Sequence, residues 1–483
     1  MFVTYTYQDW LEAGEDKRDM IIRVIQAYRQ SDEFKKAMEA TEYFRSDNRE
    51  IRGKTIMKAH TATTTDERGV TKKTSRVVSE LSGSRIANGF FFRFVTQENQ
   101  HLLSNGVVLA DEELKARLGM GFDKALERMG EKALVQGVCW GYWNMDHLEV
   151  LPAMVDVSSG TVVLLDEMTS APMVGLQFWR LTSKKPLWVR VFEPDGVTVW
   201  QEGKNKQLVV AQEKRPYQQI VVRDAAGEMI VGGSNYGALP LVPLYANEEH
   251  ASELTPSIKA KIDAYDRILS DFDNNLDRAN DVYWVLNNFG GNINQIMETM
   301  DWINKLKMVV NKVGDMGTGG ASAEPRTVDV PHEARSVALE LLKKALYQDY
   351  MALDMDEVTG GSLTNVAIQA ATANLNMKVN RFEWQVFAFV QQVLRLIGVE
   401  TEEIRFNRQT IGNESETIDN IYKMREDIDR ATALKLNPYI NQEDIQQIMD
   451  KLDEEEITGI SSVDELNKAV NEDEPADGSG DER

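Results

Sequence analysis

The sequence predicts an α+β protein that is mainly helical. Apolar residues recur at three-to-four spacing through most of the chain, which is the spacing of amphipathic helices. Between about Val135 and Ala246, apolar and polar residues instead alternate, which is typical of half-buried strands. With 42% hydrophobic and 27% charged residues, the chain has an ordinary globular composition and can bury a sizeable core. Its 483 residues suffice for two to four domains of roughly 100–200 residues each.

Charge is the unusual bulk property. The chain has 54 basic and 77 acidic residues and a net charge of −23 at pH 7, and 21 acidic against 7 basic residues lie between Ile411 and Arg483. Tight phosphate binding needs clusters of Lys and Arg, so this is not a default nucleic-acid binder. The simplest explanation of the excess of acidic residues is that it keeps the protein soluble.

Cysteine usage and hydropathy indicate where the protein is used. The lone cysteine, Cys139, excludes an internal disulfide and suits a reducing compartment. No apolar run approaches the roughly 18 residues of a membrane span, and the first ten residues lack the pattern of a signal peptide. We therefore expect a soluble protein without a membrane partner.

The N-terminal part is predicted to be helical with one interruption. The stretch 7–44 has one apolar face, and the polar, locally basic stretch after it contains "TATTTDERG" (61–69), which is typical of a loop. A helix is predicted over 84–106, and a further helical stretch over 111–134 is interrupted by glycines. The residues expected inward in the helix over 84–106 are Ile86, Phe90, Phe94 and Leu102.

The region 135–246 is predicted to form a sheet packed on these helices. Turns are expected at Pro194-Asp195-Gly196 and around Ala226-Gly227. Its aromatic residues are expected in the core and in cross-strand pairs, rather than as a platform on which bases stack.

The clearest helix follows the strands. Thr255 can cap it and Pro256 suits its first position, and apart from one apolar stripe its faces are charged. The stripe consists of Ile258, Ile262, Tyr265, Leu269, Phe272 and Leu276.

A strand–helix–strand unit is predicted next, before helix resumes. The predicted elements are a strand at 281–289, a helix at 292–310, a strand "RTVDV" at 326–330 and a helix from Pro331 onward. One side of the last helix is expected to carry Val337, Leu341, Ala345 and Leu346.

A long helix is predicted over 363–397. Its expected stripe is Val366, Ala370, Leu375, Val379, Phe382, Val386, Phe389, Val393 and Leu396. Two further amphipathic helices are predicted over 414–440 and 441–456, with Ser415 and Asn441 as caps. Residues 471–483 form an acidic tail typical of disorder.

Catalytic patterns are absent from the sequence. The five histidines are isolated, and no nucleophile elbow or phosphate-binding glycine loop occurs, so we expect no catalytic residue, metal or cofactor. "DFDNNLD" (271–277) resembles the start of a calcium loop but has Leu276 where glycine is needed, and it is expected on the solvated face of a helix. Asp354, Asp356 and Glu357 keep one alternative open: a metal-dependent DNA-processing enzyme, testable by magnesium-dependent cleavage.

The order of parts from 239 to 398 resembles the portal proteins of long-tailed double-stranded-DNA phages. "LPLVPLYANEE" (239–249) is similar to the family's proline-containing strand ahead of its first stem helix. "GGSLTNVAIQAATANLNMKVNRFE" (360–383) resembles its tunnel loop and the long helix behind it. Family members often have Ser-Gly before that helix, where this chain has Gly360-Gly361-Ser362.

The resemblance implies a portal fold with wing, stem, clip and crown regions, assembled as a ring of about twelve copies around a DNA channel. The implied regions are 1–254 (wing), 255–281 (first stem helix), 282–330 (clip), 331–353 (second stem helix), 354–362 (tunnel loop), 363–410 (long helix and return to the wing), 411–470 (crown) and 471–483 (tail). The location implied is one capsid vertex of a virion, and host cytoplasm during assembly. The implied partners are double-stranded DNA passing without sequence specificity, the terminase large subunit, a head–tail adaptor, and capsid and scaffold proteins. Another capsid or head–tail adaptor component is a second alternative, although adaptors are usually far shorter.

The resemblance also implies functional residues. The tunnel-loop residues are Asp354, Asp356, Glu357, Thr359, Gly360, Gly361 and Ser362; the glycines let the loop project, and Ser362 or Thr364 caps the long helix. An ordinary helix–helix turn is the alternative for this glycine pair. Lys343 and Lys344 are candidates to contact the DNA. The alternative is that they lie on a solvated helix face. The clip strands comprise Val282, Tyr283, Trp284, Val285, Arg326, Thr327 and Val328, and pair either across subunits or as an intramolecular hairpin.

Overall fold

The structure, a computed structural model, describes residues 4–451 with gaps at 15, 66–70, 82, 110, 225–226, 280–282, 288–321, 327–331, 359–364, 401–402, 409–413, 425–428, 438–439, 441–444 and 446–447. The chain divides into two compact units: unit 1 comprises Met1–Ala352 and Leu375–Gln409, and unit 2 comprises Leu353–Asn374 and Thr410–Arg483. In the part of the chain described, no helix is long and apolar enough to cross a membrane.

Unit 1 begins with four helices, of which the first three confirm the prediction for 7–44 and the fourth lies in the polar stretch after it, where no helix was predicted. They are α1 (Tyr7–Glu12), α2 (Arg18–Gln30), α3 (Asp32–Phe44) and α4 (Arg49–Arg52). Thr6 and Asp9 form a capping box at the start of α1, and the Ser31 hydroxyl accepts a hydrogen bond from Phe34 N at 3.2 Å where α3 begins.

An antiparallel pair of strands follows, β1 (Thr55–Thr65) and β2 (Thr71–Leu81). The loop predicted over 61–69 is therefore wrong for 61–65, where β1 continues. The stretch contains four threonines, whose branched side chains favour extended backbone, and this outweighs its polarity.

The next elements are α5 (Phe90–Leu103), β3 (Val107–Leu109), α6 (Glu112–Leu118) and α7 (Phe122–Gln136). Phe90, Phe94 and Leu102 are buried as predicted. Ile86 lies outside the helix, because α5 begins only after Asn88-Gly89. The predicted interruption between α6 and α7 is confirmed at Gly119, whose φ of 82° is a left-handed conformation that glycine tolerates.

The predicted β-rich region is confirmed. Its strands are β4 (Val138–Asn144), β5 (His147–Pro152), β6 (Met154–Asp156), β7 (Ser159–Leu165), β8 (Pro172–Trp179), β9 (Trp188–Glu193), β10 (Gly196–Glu202), β11 (Leu208–Arg215), β12 (Gln218–Asp224), β13 (Gly227–Ser234) and β14 (Leu241–Tyr245). Strands β6 to β11 form one six-stranded antiparallel sheet in sequence order, β14-β4-β5 form a second sheet, and β12 pairs with β13. The turn predicted at 194–196 joins β9 to β10, whereas the turn predicted around Ala226-Gly227 includes residues outside those described.

Both faces of the six-stranded sheet are covered along its strands β7, β8 and β9, whereas the edge strand β11 is mostly exposed. On one face, Val162, Leu176 and Phe178 belong to the same core cluster as Ile21 and Tyr28 of α2. On the other, side chains such as Val163 and Phe192 pack with the three-stranded sheet. The aromatic residues of this region, among them Trp140, Tyr142, Trp143, Phe178 and Phe192, are buried in the core as predicted.

Of the predicted order helix, strand, helix, strand, helix, the two outer helices and the two strands are present in unit 1, as α8 (Pro256–Ala279), β15 (Tyr283–Asn287), β16 (Ser322–Arg326) and α9 (His332–Tyr350). The Thr255 hydroxyl accepts a hydrogen bond from Ile258 N at 3.3 Å, which confirms its capping role. The second strand was predicted at 326–330 but the described one ends at Arg326. The helix predicted at 292–310 lies outside the described residues.

The predicted stripe of α9 is partly wrong. Leu346 is buried, but Val337 and Leu341 are 55% and 63% exposed. The spacing of apolar residues predicts which of them share one face of the helix. It does not show whether another part of this chain packs against that face.

Three elements follow: α10 (Met355–Val358), α11 (Asn365–Leu396) and β17 (Ile404–Phe406), which pairs with β3. Helix α11 confirms the long helix predicted over 363–397. Most of its stripe is buried, namely Leu375, Val379, Phe382, Val386, Phe389 and Val393, whereas Ala370 is exposed, contrary to prediction.

Unit 2 also contains α12 (Glu414–Lys423) and α13 (Arg430–Leu436). A single helix was predicted here with Ser415 as its cap; instead, Ser415 lies inside α12, and Asp429 starts a separate helix by accepting from Thr432 N at 3.1 Å. The predicted cap Asn441 and the tail 471–483 lie outside the described residues.

Candidate functional site

The candidate site is the helical pair formed by α8 and α9, with the strands β15 and β16 between them in the chain. The first turn of α8 is joined to the last turn of α9, because Asp349 accepts a hydrogen bond from the Ser257 hydroxyl at 2.9 Å and pairs with Lys261. The strands pair with each other in antiparallel register, Tyr283 opposite Arg326.

A polar ladder fixes α8 to the segment 83–89 ahead of α5. Asp266, Ser270 and Asn274, which we call the α8 ladder, accept hydrogen bonds from the backbone N–H groups of Asn88, Ile86 and Ser84 at 3.1, 2.9 and 3.1 Å. Four residues of helix rise about 6 Å and two residues of extended chain span about 6.6 Å, so the two spacings match. The ladder therefore satisfies alternate N–H groups of a segment that belongs to no helix or strand.

Asp266 is the most constrained member of the ladder. It is fully buried, and its carboxylate accepts further hydrogen bonds from the amides of Asn88, at 2.8 Å, and Asn48. Burial raises the pKa of Asp266 from 3.8 to about 6, although the hydrogen bonds from Asn88 and Asn48 oppose that rise.

A second anchor lies where α9 ends. We call Glu98, Glu253, Tyr350 and Lys378 the Glu98 cluster. The Tyr350 hydroxyl donates to Glu98 Oε2 at 2.8 Å, Lys378 pairs with Glu253, and Lys378 Nζ lies 3.9 Å from the centre of the Tyr350 ring and 3.7 Å from Glu98 Oε2. The cluster joins α5, the segment before α8, the end of α9 and α11.

Burial dominates the electrostatics of this cluster. It raises the pKa of Glu98 from 4.5 to about 7; Lys378 opposes the rise and Glu253 adds to it. It also raises the pKa of Tyr350 well above 10, so that the hydroxyl keeps its proton and acts as a donor. Both effects suit a packed joint better than an acid–base catalyst exposed to solvent.

Aromatic residues complete the joint around α9. The Phe94 ring stacks on the Tyr350 ring with centroids 4.7 Å apart and meets the Tyr347 ring edge-on at 5.1 Å. Phe90 meets Tyr265 of α8 at 4.9 Å. Helix α5 thus contacts both helices of the pair.

The predicted tunnel-loop residues fall only partly among those described. The Asp354 carboxylate accepts from Asp356 N at 3.2 Å and so caps α10, whose backbone includes Glu357. Thr359, Gly360, Gly361 and Ser362 lie outside the described residues, as does Thr364. Across the part of the chain that is described, no group of His, Cys, Asp and Glu is arranged to hold a metal ion.

The predicted clip and stem residues are distributed along the pair. Tyr283, Trp284 and Val285 lie on β15 and Arg326 ends β16, whereas Val282, Thr327 and Val328 lie outside the described residues. Within one chain the two strands form the hairpin that was one of the two alternatives; pairing across subunits remains a prediction. Lys343 Nζ lies 5.7 Å from the Tyr347 ring centre, and Lys344 is exposed.

The α8 ladder and the Glu98 cluster were not predicted. The ladder had a signal, since Asp266, Ser270 and Asn274 recur every four residues, but a polar stripe normally indicates a solvated face. Glu98 lies in a helix that also carries four phenylalanines, and an acid buried among them needs a partner. Its partner Tyr350 is 252 residues away, beyond any local pattern.

The fold and the site together define a structural protein: a helical pair with a strand hairpin, held to a mixed α/β body by buried hydrogen bonds. The chain belongs to the phage portal protein family described as "Phage portal protein, SPP1 Gp6-like", which matches residues 28–458. Membership of this family supports a portal role for the chain.

Two individual similarities accompany the family match. The chain is 26% identical over 223 residues to the "Portal protein" of Clostridium phage phiCD119 (strain Clostridium difficile/United States/Govind/2006), a match covering 44% of this chain and spanning about half (48%) of that relative. A solved structure titled "Neck of empty GTA particle computed with C6 symmetry" matches 70% of this chain and 85% of its own at 11% identity. Its TM-score of 0.39 is too low to establish a shared fold.

Proposed function

We propose that about twelve copies of this chain form a ring at one capsid vertex, through which double-stranded DNA enters during packaging and leaves during ejection. The ring docks the terminase motor during packaging and a head–tail adaptor afterwards, and assembly takes place in host cytoplasm among capsid and scaffold proteins. Family membership supports the portal role, and the geometry of the helical pair supports the conduit.

The observation that carries the proposal is the anchoring of α8 and α9 to the body of unit 1. A helical pair lining a channel has to stay in place while a stiff duplex moves past it. The α8 ladder fixes the middle of one helix, and the Glu98 cluster fixes the end of the other. Both anchors are buried and hydrogen-bonded, so they resist displacement better than solvent-exposed ion pairs.

In this proposal the stem is α8 and α9, the clip is β15 and β16 with the residues between them, and the tunnel loop is 354–362. Gly360 and Gly361 supply the backbone freedom that the loop needs to project into the channel. The acidic residues of the loop repel the phosphate backbone, so the duplex slides without being held.

The test is electron microscopy of the purified protein with native mass determination. We expect rings about twelve subunits around with a central hole. A species that stays at the 54.7 kDa of one chain under all conditions would contradict the proposal.

The loop has its own test. Replacing Gly360 and Gly361 together with Val should impair DNA packaging while rings still form, because β-branched residues cannot adopt the conformations that glycine reaches. A matched control is Gly121→Val, since a Cβ at Gly121 meets no atom within 4 Å. Loss of the ring in the double variant would show instead that the glycines are structural.

A further inference from the structure

The six-stranded sheet has two ends of opposite charge. Because consecutive strands are antiparallel, its turns alternate between the ends. The β7–β8 and β9–β10 turns lie at one end, and the β8–β9 and β10–β11 turns lie at the other. Strand β8 has eight residues, so the ends are about 26 Å apart at roughly 3.3 Å per residue.

The first end, which we call the acidic end, is formed by Asp166, Glu167 and Met168 in the β7–β8 turn. Met168 is 93% exposed at its apex. The turn is rigid, because Asp166 Oδ1 accepts from Met168 N at 3.0 Å and Thr169 N at 2.9 Å.

Helix α1 braces the acidic end. Gln8 donates to Asp166 Oδ2 and the Thr6 hydroxyl donates to Glu167 Oε1, both at 2.8 Å. The neighbouring acids of the β9–β10 turn, Glu193 and Asp195, both pair with Lys214, whose single positive charge offsets only one of them. The net charge of these turns is therefore negative, and the exposed Glu167 lies beside an exposed methionine.

The second end, which we call the basic end, carries Leu181, Lys184 and Lys185 in the β8–β9 turn and Lys204 and Lys206 in the β10–β11 turn. Leu181 is 82% exposed and all four lysines are exposed. None of these lysines is in an ion pair with another residue that the structure describes.

This end is also rigid. Arg180 donates to Lys185 O at 3.0 Å and pairs with Glu202 at 2.7 Å, so those two charges cancel. The remaining acid at this end, Asp156 of the β6–β7 turn, accepts hydrogen bonds from Ser158 and Ser159. The excess of charge is therefore positive.

We propose that the acidic end of one copy docks on the basic end of the next copy, with Met168 and Leu181 at the centre of the contact. This inference rests on the ring of the proposed function. A ring is built from heterologous contacts, which need two different and complementary surfaces at separate places on one chain. Here the two surfaces have opposite charge, each presents a large apolar side chain, and each is preorganised by side-chain to backbone hydrogen bonds.

The overall charge strengthens this assignment. Copies that each carry −23 repel one another, and a basic end facing an acidic end offsets that repulsion at the contact. If nucleic acid bound the basic end, this would explain only the lysines. It would leave unexplained why the opposite end is acidic and why each end presents an exposed apolar side chain.

Charge reversal tests the contact. Glu167→Lys alone and Lys184→Glu alone should each raise by at least about tenfold the protein concentration at which half the chains are in rings, measured by native mass spectrometry. The double variant restores an opposite pair at every contact and should return to within about threefold of the unaltered chain. Lys36→Glu, an exposed lysine on α3, is the matched control and should change nothing. Thermal unfolding of each variant shows that folding is unaffected, since all three side chains are exposed.

The outcomes separate the contact from the ring. Rings that form equally well in both single variants overturn the contact and leave the proposed function standing. A double variant no better than its worse parent also overturns it. If the unaltered chain forms no assembly, the ring and the contact fail together. Binding of a random-sequence DNA duplex that Lys184→Glu abolishes, with ring formation unchanged, would assign the basic end to nucleic acid.

Discussion

The six-stranded sheet and the helical pair are held in place by different means. Side chains with no polar atom dominate the core around the sheet, where Val162, Leu176 and Val189 are fully buried. The helical pair has aromatic packing as well, but it is fixed in addition by buried polar groups, the α8 ladder and the Glu98 cluster. Apolar packing tolerates small shifts, whereas a hydrogen bond requires a defined distance and angle. A body can therefore rely on packing, while a pair of helices that has to keep its position is better fixed by hydrogen bonds.

The largest effect is expected from a substitution in the apolar core around the six-stranded sheet. Phe178→Ala should lower the free energy of unfolding by about 3–5 kcal/mol, because the ring is 1% exposed and leaves a cavity beside Tyr28 and the sheet. Chemical denaturation followed by tryptophan fluorescence measures this. Val209→Ala on the exposed edge strand β11 is the control and should cost less than about 0.5 kcal/mol. Equal losses in the two variants would mean that this core does not carry the stability of unit 1.

The next largest effect is expected from a substitution in the α8 ladder. Asp266→Ala should cost about 2–3 kcal/mol, because it leaves the amides of Asn48 and Asn88 without their buried acceptor. Asp266→Asn should cost less than about 1 kcal/mol. In the described part of the chain Asn48 Oδ1 has no hydrogen-bond partner, so a flipped Asn48 amide can accept from the new amide. Denaturation of both variants at one pH compares them, and equal costs would show that the ladder does not depend on hydrogen bonds.

Much of the apolar packing was predictable from the sequence. The stripes of α8 and α11 follow the helical period, and Ile258, Ile262, Phe382 and Val386 are buried as predicted. The period does not show which apolar faces this chain covers, as the exposed Val337 and Leu341 demonstrate. The hairpin of β1 and β2 was missed in part because its threonines resemble a polar loop.

The polar anchors were not predictable, for a physical reason. Asp266 looks like a surface carboxylate until the segment 83–89, nearly 180 residues earlier, is placed against it. Only the fold brings donor and acceptor together, and a sequence pattern contains no such long-range information. The resemblance to portal proteins indicated the order of the elements, but not how α8 and α9 are anchored.

The Glu98 cluster gives an effect of similar size at most, and this effect depends on pH. The folded-state pKa of Glu98, about 7, lies above its ordinary value of 4.5, so the stability that its protonated form contributes is present below about pH 4.5 and is lost as the pH rises through 7. Glu98→Gln should remove up to about 3 kcal/mol of that pH dependence, since one pKa unit corresponds to about 1.4 kcal/mol. The measurement is the unfolding free energy of both proteins across this range.

Tyr350→Phe is the companion variant for the Glu98 cluster. It keeps the ring next to Lys378 but removes the hydroxyl hydrogen bond that lowers the pKa of Glu98. The pH-dependent window should therefore move to higher pH. Identical pH profiles for the unaltered chain and Glu98→Gln would show that Glu98 stays ionised in the fold and that the cluster is an ordinary ion pair.

The smallest effect concerns the point where α9 ends, directly ahead of the proposed tunnel loop. Met351 has a φ of 64°, and the hydrogen bonds from Ala352 N to Tyr347 O at 3.0 Å and from Met351 N to Gln348 O at 3.1 Å form a Schellman motif around it. Glycine usually occupies this position, because a side chain is strained there by about 1 kcal/mol. Met351→Gly should therefore be about 0.5–1 kcal/mol more stable than Met351→Ala, which lacks the methionine side chain but keeps the strain. Thermal unfolding of the pair isolates the backbone from the lost side-chain packing. If the alanine variant proves as stable as the glycine variant, the end of α9 carries no strain, and its anchoring depends on the Glu98 cluster alone.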